Sequence, residues 1–108
     1  MSGVYETSQP ERTAIDGLSG PAVLDFGTNW CGFCRAAEPL VDAALAAHPG
    51  QPVIHHLKVE DGPGRPLGRS FRVKLWPTLV FLHDGVEVAR LVRPADAEAI
   101  KQALARLS

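Results

Sequence analysis

Cysteine is scarce in this 108-residue chain, which has two, Cys31 and Cys34. Stapling by a disulfide is a poor folding strategy at this spacing, because closing so short a loop removes little unfolded-state entropy. A zinc site is disfavoured too. Zinc takes about four ligands, and beside one cysteine pair the chain offers His48, His55, His56 and His83, scattered along its length. Adjacent His55 and His56 point to opposite faces of a strand and do not converge. Attachment of c-type haem needs a histidine directly after the second cysteine, and Arg35 stands there. An excess of either charge is lacking as well. Eleven basic and twelve acidic residues leave a net charge of −1, which gives no electrostatic footprint for nucleic acid or acidic lipid. No apolar run approaches a membrane span. The start, Met1 to Ser8, lacks the cationic and apolar regions of a secretory signal. The expected compartment is the cytoplasm, or the periplasm if a leader has been removed. Repeats, linkers and low-complexity tracts are also missing, so residues 1–108 are expected to form one domain with its own core.

What is present reads as an α/β pattern. Residues 1–20 are polar and turn-rich and are expected to be weakly structured, with Val4-Tyr5 as a very short strand and Glu11 to Leu18 as a short helix. Ala22 to Phe26 is a compact apolar run broken by Asp25, the look of a central strand covered on both faces. From Arg35 to Ala47, apolar residues at spacings of three and four predict a helix, kinked at Pro39 and stopped by Pro49-Gly50. A strand is expected over Pro52 to Val59, and a short helix from Pro66 to Arg72. Thr78 to His83 and Val86 to Val92 flank Asp84-Gly85, a strong hairpin signal. Pro94 is expected early in the last helix, with Asp96 as its cap and Ile100, Ala103, Leu104 and Leu107 as its buried stripe. This order predicts a βαβ unit followed by ββα around a mixed sheet.

The chemistry lies between the first strand and its helix, in Trp30-Cys31-Gly32-Phe33-Cys34. Two thiols at this spacing on a first helical turn can form an intramolecular disulfide, and such a pair in an otherwise cysteine-free chain is a redox signature. Thiol–disulfide exchange needs a thiolate. A helix N-terminus offers unpaired backbone N–H groups and the positive end of the dipole, which favour one. Cys31 holds that position and is the expected attacking thiol. Cys34, one turn further in, is expected to resolve the mixed disulfide. Gly32 lets another backbone approach, and Trp30 shields the site and offers a stacking surface. An aspartate in the middle of an apolar strand, as Asp25 is, is costly to bury, which marks it as a candidate for a role.

Asp25-Phe26, Trp30 to Cys34, Pro39, Trp76-Pro77-Thr78 and Asp84-Gly85 follow the order and spacing found in thioredoxins. On these motifs the chain resembles the thioredoxin family over roughly residues 21–108. The resemblance implies a thioredoxin fold with a mixed four- or five-stranded central sheet flanked by helices. It implies a protein-disulfide reductase that carries no bound cofactor beyond the redox-active Cys31–Cys34 disulfide. Pro77 would be a cis-proline facing the disulfide, leaving the backbone of Trp76 free to pair with an extended substrate. Asp25 would take and return the proton of Cys34. The implied partners are protein disulfides and a reducing partner, such as a flavin-dependent thioredoxin reductase or another dithiol protein, for a monomeric enzyme.

Several positions depart from the family pattern. Gly27 stands where an aromatic residue is usual, and Phe33 replaces the proline common between the cysteines. His56 aligns with a lysine that lies near the buried aspartate in the family. Trp76 replaces an aliphatic residue, and Val92-Arg93 replaces a glycine that admits partners. Trp30, Phe33, Trp76 and Val92 are therefore expected at one rim as a substrate-binding surface, with an inward, core-filling Trp76 as the alternative. Two other functions fit the same residues. One is a disulfide oxidase or isomerase running the chemistry in reverse, and the other is a non-catalytic binding module.

Overall fold

A computed structural model describes residues 4–49 and 53–107. Its elements run α1 (Arg12–Asp16), β1 (Pro21–Gly27), α2 (Gly32–Ala47), β2 (His55–Glu60), α3 (Pro66–Ser70), β3 (Thr78–His83), β4 (Val86–Val92) and α4 (Ala97–Ala105). The four strands form one mixed sheet in the order β2-β1-β3-β4. β1 pairs parallel to β2 and antiparallel to β3, and β3 pairs antiparallel to β4. This is the thioredoxin fold, with four strands among the described residues.

The period-2 alternation of β1 sorts its side chains between two cores. Ala22, Leu24 and Phe26 pack with Ile15 of α1 and with Leu67 and Phe71 at α3. Val23 packs on the other face with Val41, Ala44 and Leu45 of α2 and with Ile100, Ala103 and Leu104 of α4. Asp25 and Gly27 continue the Val23 row, so strand geometry alone carries them under the N-terminus of α2. Parallel pairing sets His56 beside Val23 and Lys58 beside Asp25, which brings two basic side chains to the same face.

Local chemistry explains most boundaries. Asp84 and Gly85 both take positive φ, 50° and 79°, as a two-residue hairpin turn of the primed kind requires. The Asp84 carboxylate also accepts from the Gly20 N–H at 2.7 Å, tying the turn to the start of β1. Asp96 caps α4 by accepting from the Ala99 N–H at 2.9 Å. Pro94 therefore precedes that helix instead of opening it. α2 starts at Gly32, ahead of the expected Arg35, because the Cys31 sulfur serves as its N-cap acceptor. It runs without a break through Pro39, whose missing N–H leaves the Arg35 carbonyl without its usual helical donor. β2 begins at His55, later than expected, and Pro52 lies outside the described residues.

The N-terminal segment differs most from expectation. Val4-Tyr5 is not a strand; Glu6 makes one isolated parallel bridge to Val59 instead. Nor is the segment weakly structured from Tyr5 onward. The Gln9 amide donates to the Glu60 carbonyl at 2.6 Å and accepts from the Leu67 N–H at 3.1 Å, and Ile15 is fully buried. At Tyr5 the backbone N–H and carbonyl are taken by the Asn29 side chain instead of by β2.

Candidate active site

Cys31 and Cys34 are free thiols at the start of α2, directly above the end of β1. Their surroundings differ. Cys31 is the N-cap residue, with φ −78° and ψ 122°, and its sulfur accepts from the Cys34 N–H at 3.3 Å. Cys34 lies deeper, 2% exposed. Burial, helped by its hydrogen bond with Cys31, pushes its thiol up to about 12 from an ordinary 9.0. At neutral pH Cys34 is therefore a neutral thiol and needs an acceptor before it can attack.

Asp25 is buried, 4% exposed. Its carboxylate accepts from the Tyr5 hydroxyl at 2.6 Å and lies 3.8 Å from His56 Nε2. The family lysine position thus does bring His56 to the aspartate. Lys58, also buried, pairs with Glu38 of α2 at 3.0 Å and sits 4.5 Å from the centre of the Tyr5 ring. A buried ammonium needs such partners to offset its desolvation.

Tyr5 is the site residue that the sequence did not disclose. It packs with Cys31 and Cys34, and Trp76 lies against the three. A side chain on Gly27 would place its Cβ 2.5 Å from Cys34 Sγ and 2.9 Å from the Tyr5 hydroxyl. Gly27, which stands where the family has an aromatic, is thus the vacancy that Tyr5 fills from another part of the chain. That exchange is the signal that could have found it.

The rim residues come together around the cysteines. The Trp76–Pro77 peptide is cis, and Pro77 is buried. Trp76 satisfies neither extreme expected of it. Half-buried, it donates from its indole N–H to Asp61 at 2.8 Å and meets Trp30 edge to face, with ring centroids 5.7 Å apart. Trp30 and Phe33 are exposed. Gly32 faces open space, where an added Cβ would touch nothing. Val92 is exposed and pairs with Thr78, next to Pro77. The backbone of Trp76 is not free, however. Arg93, at a positive φ of 49°, donates from its Nε to the Trp76 carbonyl at 2.8 Å. Its guanidinium lies 3.9 Å over the Phe33 ring. Arg35 is exposed on α2.

Comparison with known proteins follows the same line. The family model described as thioredoxin matches residues 6–106. The chain is 34% identical over 91 residues to a thioredoxin of Chlamydia trachomatis, a match covering 83% of this chain and 85% of that one. It is 36% identical over 90 residues to protein disulfide-isomerase A2 of Pongo abelii, covering 80% of this chain but 17% of that much longer protein. Among solved structures, the reduced form of thioredoxin 2 from Pseudomonas aeruginosa PAO1 superimposes with a TM-score of 0.86 at 52% identity, covering 99% of this chain and 96% of the other.

Proposed function

The chain belongs to the thioredoxin family and is a thiol–disulfide oxidoreductase that reduces protein disulfides, and from that premise we propose a role for each site residue. Cys31 attacks a substrate disulfide, releases one substrate thiol and stays joined to the other as a mixed disulfide. Cys34 then attacks the Cys31 sulfur and releases the second thiol, while its own proton passes toward Asp25. The observation that carries this assignment is the contrast between the two sulfurs. Cys31 caps the helix and is 8% exposed, whereas Cys34 lies deeper, 2% exposed, and is held protonated.

Substrate docks along Trp76 and Pro77, with Gly32 giving its backbone room and Trp30, Phe33 and Val92 supplying apolar contact. To pair with the Trp76 carbonyl, an extended substrate first displaces the Arg93 side chain. A flavin-dependent thioredoxin reductase or another dithiol protein returns the enzyme to its reduced form. Such a cycle suits a monomer in a reducing compartment, the cytoplasm.

The direction of the reaction is tested by equilibrating the purified protein with glutathione and measuring the fraction oxidised. A reductase is expected near about −270 mV, the value typical of thioredoxins, whereas about −180 mV is typical of disulfide isomerases. A value at the isomerase end would overturn the reductive direction.

A further inference from the structure

We propose that the Tyr5 hydroxyl relays the proton between the Cys34 thiol and the Asp25 carboxylate during resolution of the mixed disulfide. The proposal rests on the reading of Cys34 as the resolving thiol. Three independent placements carry it. The hydroxyl donates to Asp25 Oδ1 at 2.6 Å in a buried setting. The same hydroxyl and Cys34 Sγ lie against one point above Gly27, within 2.9 Å and 2.5 Å of where a Cβ would be. The backbone of Tyr5 is clamped, its N–H donating to Asn29 Oδ1 at 2.8 Å and its carbonyl accepting from Asn29 Nδ2 at 3.3 Å. These bonds fix the Tyr5 backbone beside the site, and packing against Cys31, Cys34 and Trp76 holds the ring.

Tyr5 and Cys34 also influence each other's protons. The hydroxyl favours the Cys34 thiolate against its burial. Burial first, and Asp25 second, hold the phenol proton far above its ordinary range. A free phenolate is therefore not formed at working pH, and the hydroxyl passes a proton only by accepting one as it gives another.

The step balances on that basis. Cys34 gives its proton to the Tyr5 oxygen while the Tyr5 proton moves to Asp25 Oδ1. The electron pair freed on Cys34 forms the bond to the Cys31 sulfur. The bond between Cys31 and the substrate sulfur breaks, and its pair leaves on the substrate thiolate, which takes a proton from solvent. Two thiols of the enzyme are oxidised to a disulfide as the substrate disulfide is reduced. When an external dithiol reduces the enzyme again, the proton returns to Cys34 by the reverse route.

The test is a rapid-mixing comparison of wild type with Tyr5→Phe, following mixed-disulfide formation and resolution separately against pH. The titratable groups facing the relay are Asp25 on β1, His56 and Lys58 on β2, Glu38 on α2 and Cys31 at its N-cap. All remain in Tyr5→Phe, so the ratio of the two rates isolates the hydroxyl. Formation is expected to stay within about twofold, and resolution at neutral pH to fall by about a hundredfold, the lower edge of general acid–base effects. The deficit is expected to shrink as pH rises and hydroxide takes the proton directly. Unchanged resolution overturns the relay, as does a loss of equal size at every pH, which marks a structural role.

If Tyr5→Phe does not fold, resolution by the wild-type protein is followed in mixtures of H2O and D2O. Two protons moving together are expected to give a curved dependence of the rate on deuterium fraction; a linear dependence, the mark of one proton in flight, overturns the relay. Cys34→Ser separates the underlying reading. If that variant traps no mixed disulfide, the reading of Cys34 falls and the relay with it; if it traps one while Tyr5→Phe resolves normally, the relay alone falls.

Discussion

The Arg93 guanidinium lies 3.9 Å above the Phe33 ring while its Nε holds the Trp76 carbonyl at 2.8 Å. One side chain thus covers one of the two residues between the cysteines and occupies a backbone acceptor beside the cis-proline. A cation over an aromatic face is worth about 0.5–1 kcal/mol at an exposed site, and a hydrogen bond about 0.5–1.5 kcal/mol net. Arg93→Gly is therefore expected to raise kcat/KM for protein disulfides several-fold, up to roughly tenfold, with little change for a small disulfide that needs no strand pairing. Equal rates for both substrate types in the variant and wild type would show that Arg93 does not gate docking.

The same substitution has a second consequence. Arg93 sits at φ 49°, a left-handed conformation costing a side-chain-bearing residue about 1–2 kcal/mol. Relief of that strain opposes the lost contacts, so Arg93→Gly is expected to leave the midpoint of chemical denaturation nearly unchanged or slightly raised. Arg93→Ala, which loses the contacts and keeps the strain, is expected to lower it.

Gly27→Ala is expected to destabilise the protein by about 1–3 kcal/mol, the usual range for overpacking, because its Cβ would fall 2.5 Å from Cys34 Sγ and 2.9 Å from both Cζ and the hydroxyl oxygen of Tyr5. In a Tyr5→Ala background the cost is expected to be smaller, since two of those three contacts are gone. Denaturant titration of the four proteins of the cycle gives the coupling directly.

The buried thiol sets a pH dependence of stability. Its native value of about 12 lies above the ordinary 9.0, so between those values the folded state holds a proton that the unfolded state has lost. Stability of the reduced protein is therefore whole below about pH 9 and falls as pH rises toward about 12. Tyr5, held protonated by burial and by Asp25, adds to the fall above pH 10. Cys34→Ala is expected to flatten the slope in part, and Cys34→Ala with Tyr5→Phe to flatten it further. A slope unaltered by either change would contradict the burial of these protons.

Much of this arrangement was legible because it rests on local rules. Strand alternation carries Asp25 beneath the helix start, Asp84-Gly85 fixes the hairpin, and Asp96 caps α4. The cysteine spacing and the proline after Trp76 disclosed the chemical centre for the same reason. Tyr5 was not legible, because its place depends on a vacancy at Gly27 that exists only once β1 and α2 have packed. The sequence shows Arg93 only as part of a replacement for a glycine; its hold on Trp76 comes with a positive φ and a ring underneath, which no local pattern encodes. The single bridge at Glu6 has the same origin, since the Asn29 side chain that takes the Tyr5 backbone comes from a distant part of the chain.

The central claim is that Cys31 attacks and Cys34 resolves, and mass-spectrometric trapping with a disulfide-bonded protein substrate tests it most directly. Reduced Cys34→Ser is expected to accumulate a mixed disulfide at Cys31 approaching one equivalent, while Cys31→Ser forms none and reduces no substrate. Retention of disulfide-reducing activity by Cys31→Ser, or a mixed disulfide forming through Cys34 at a comparable rate, would contradict the account.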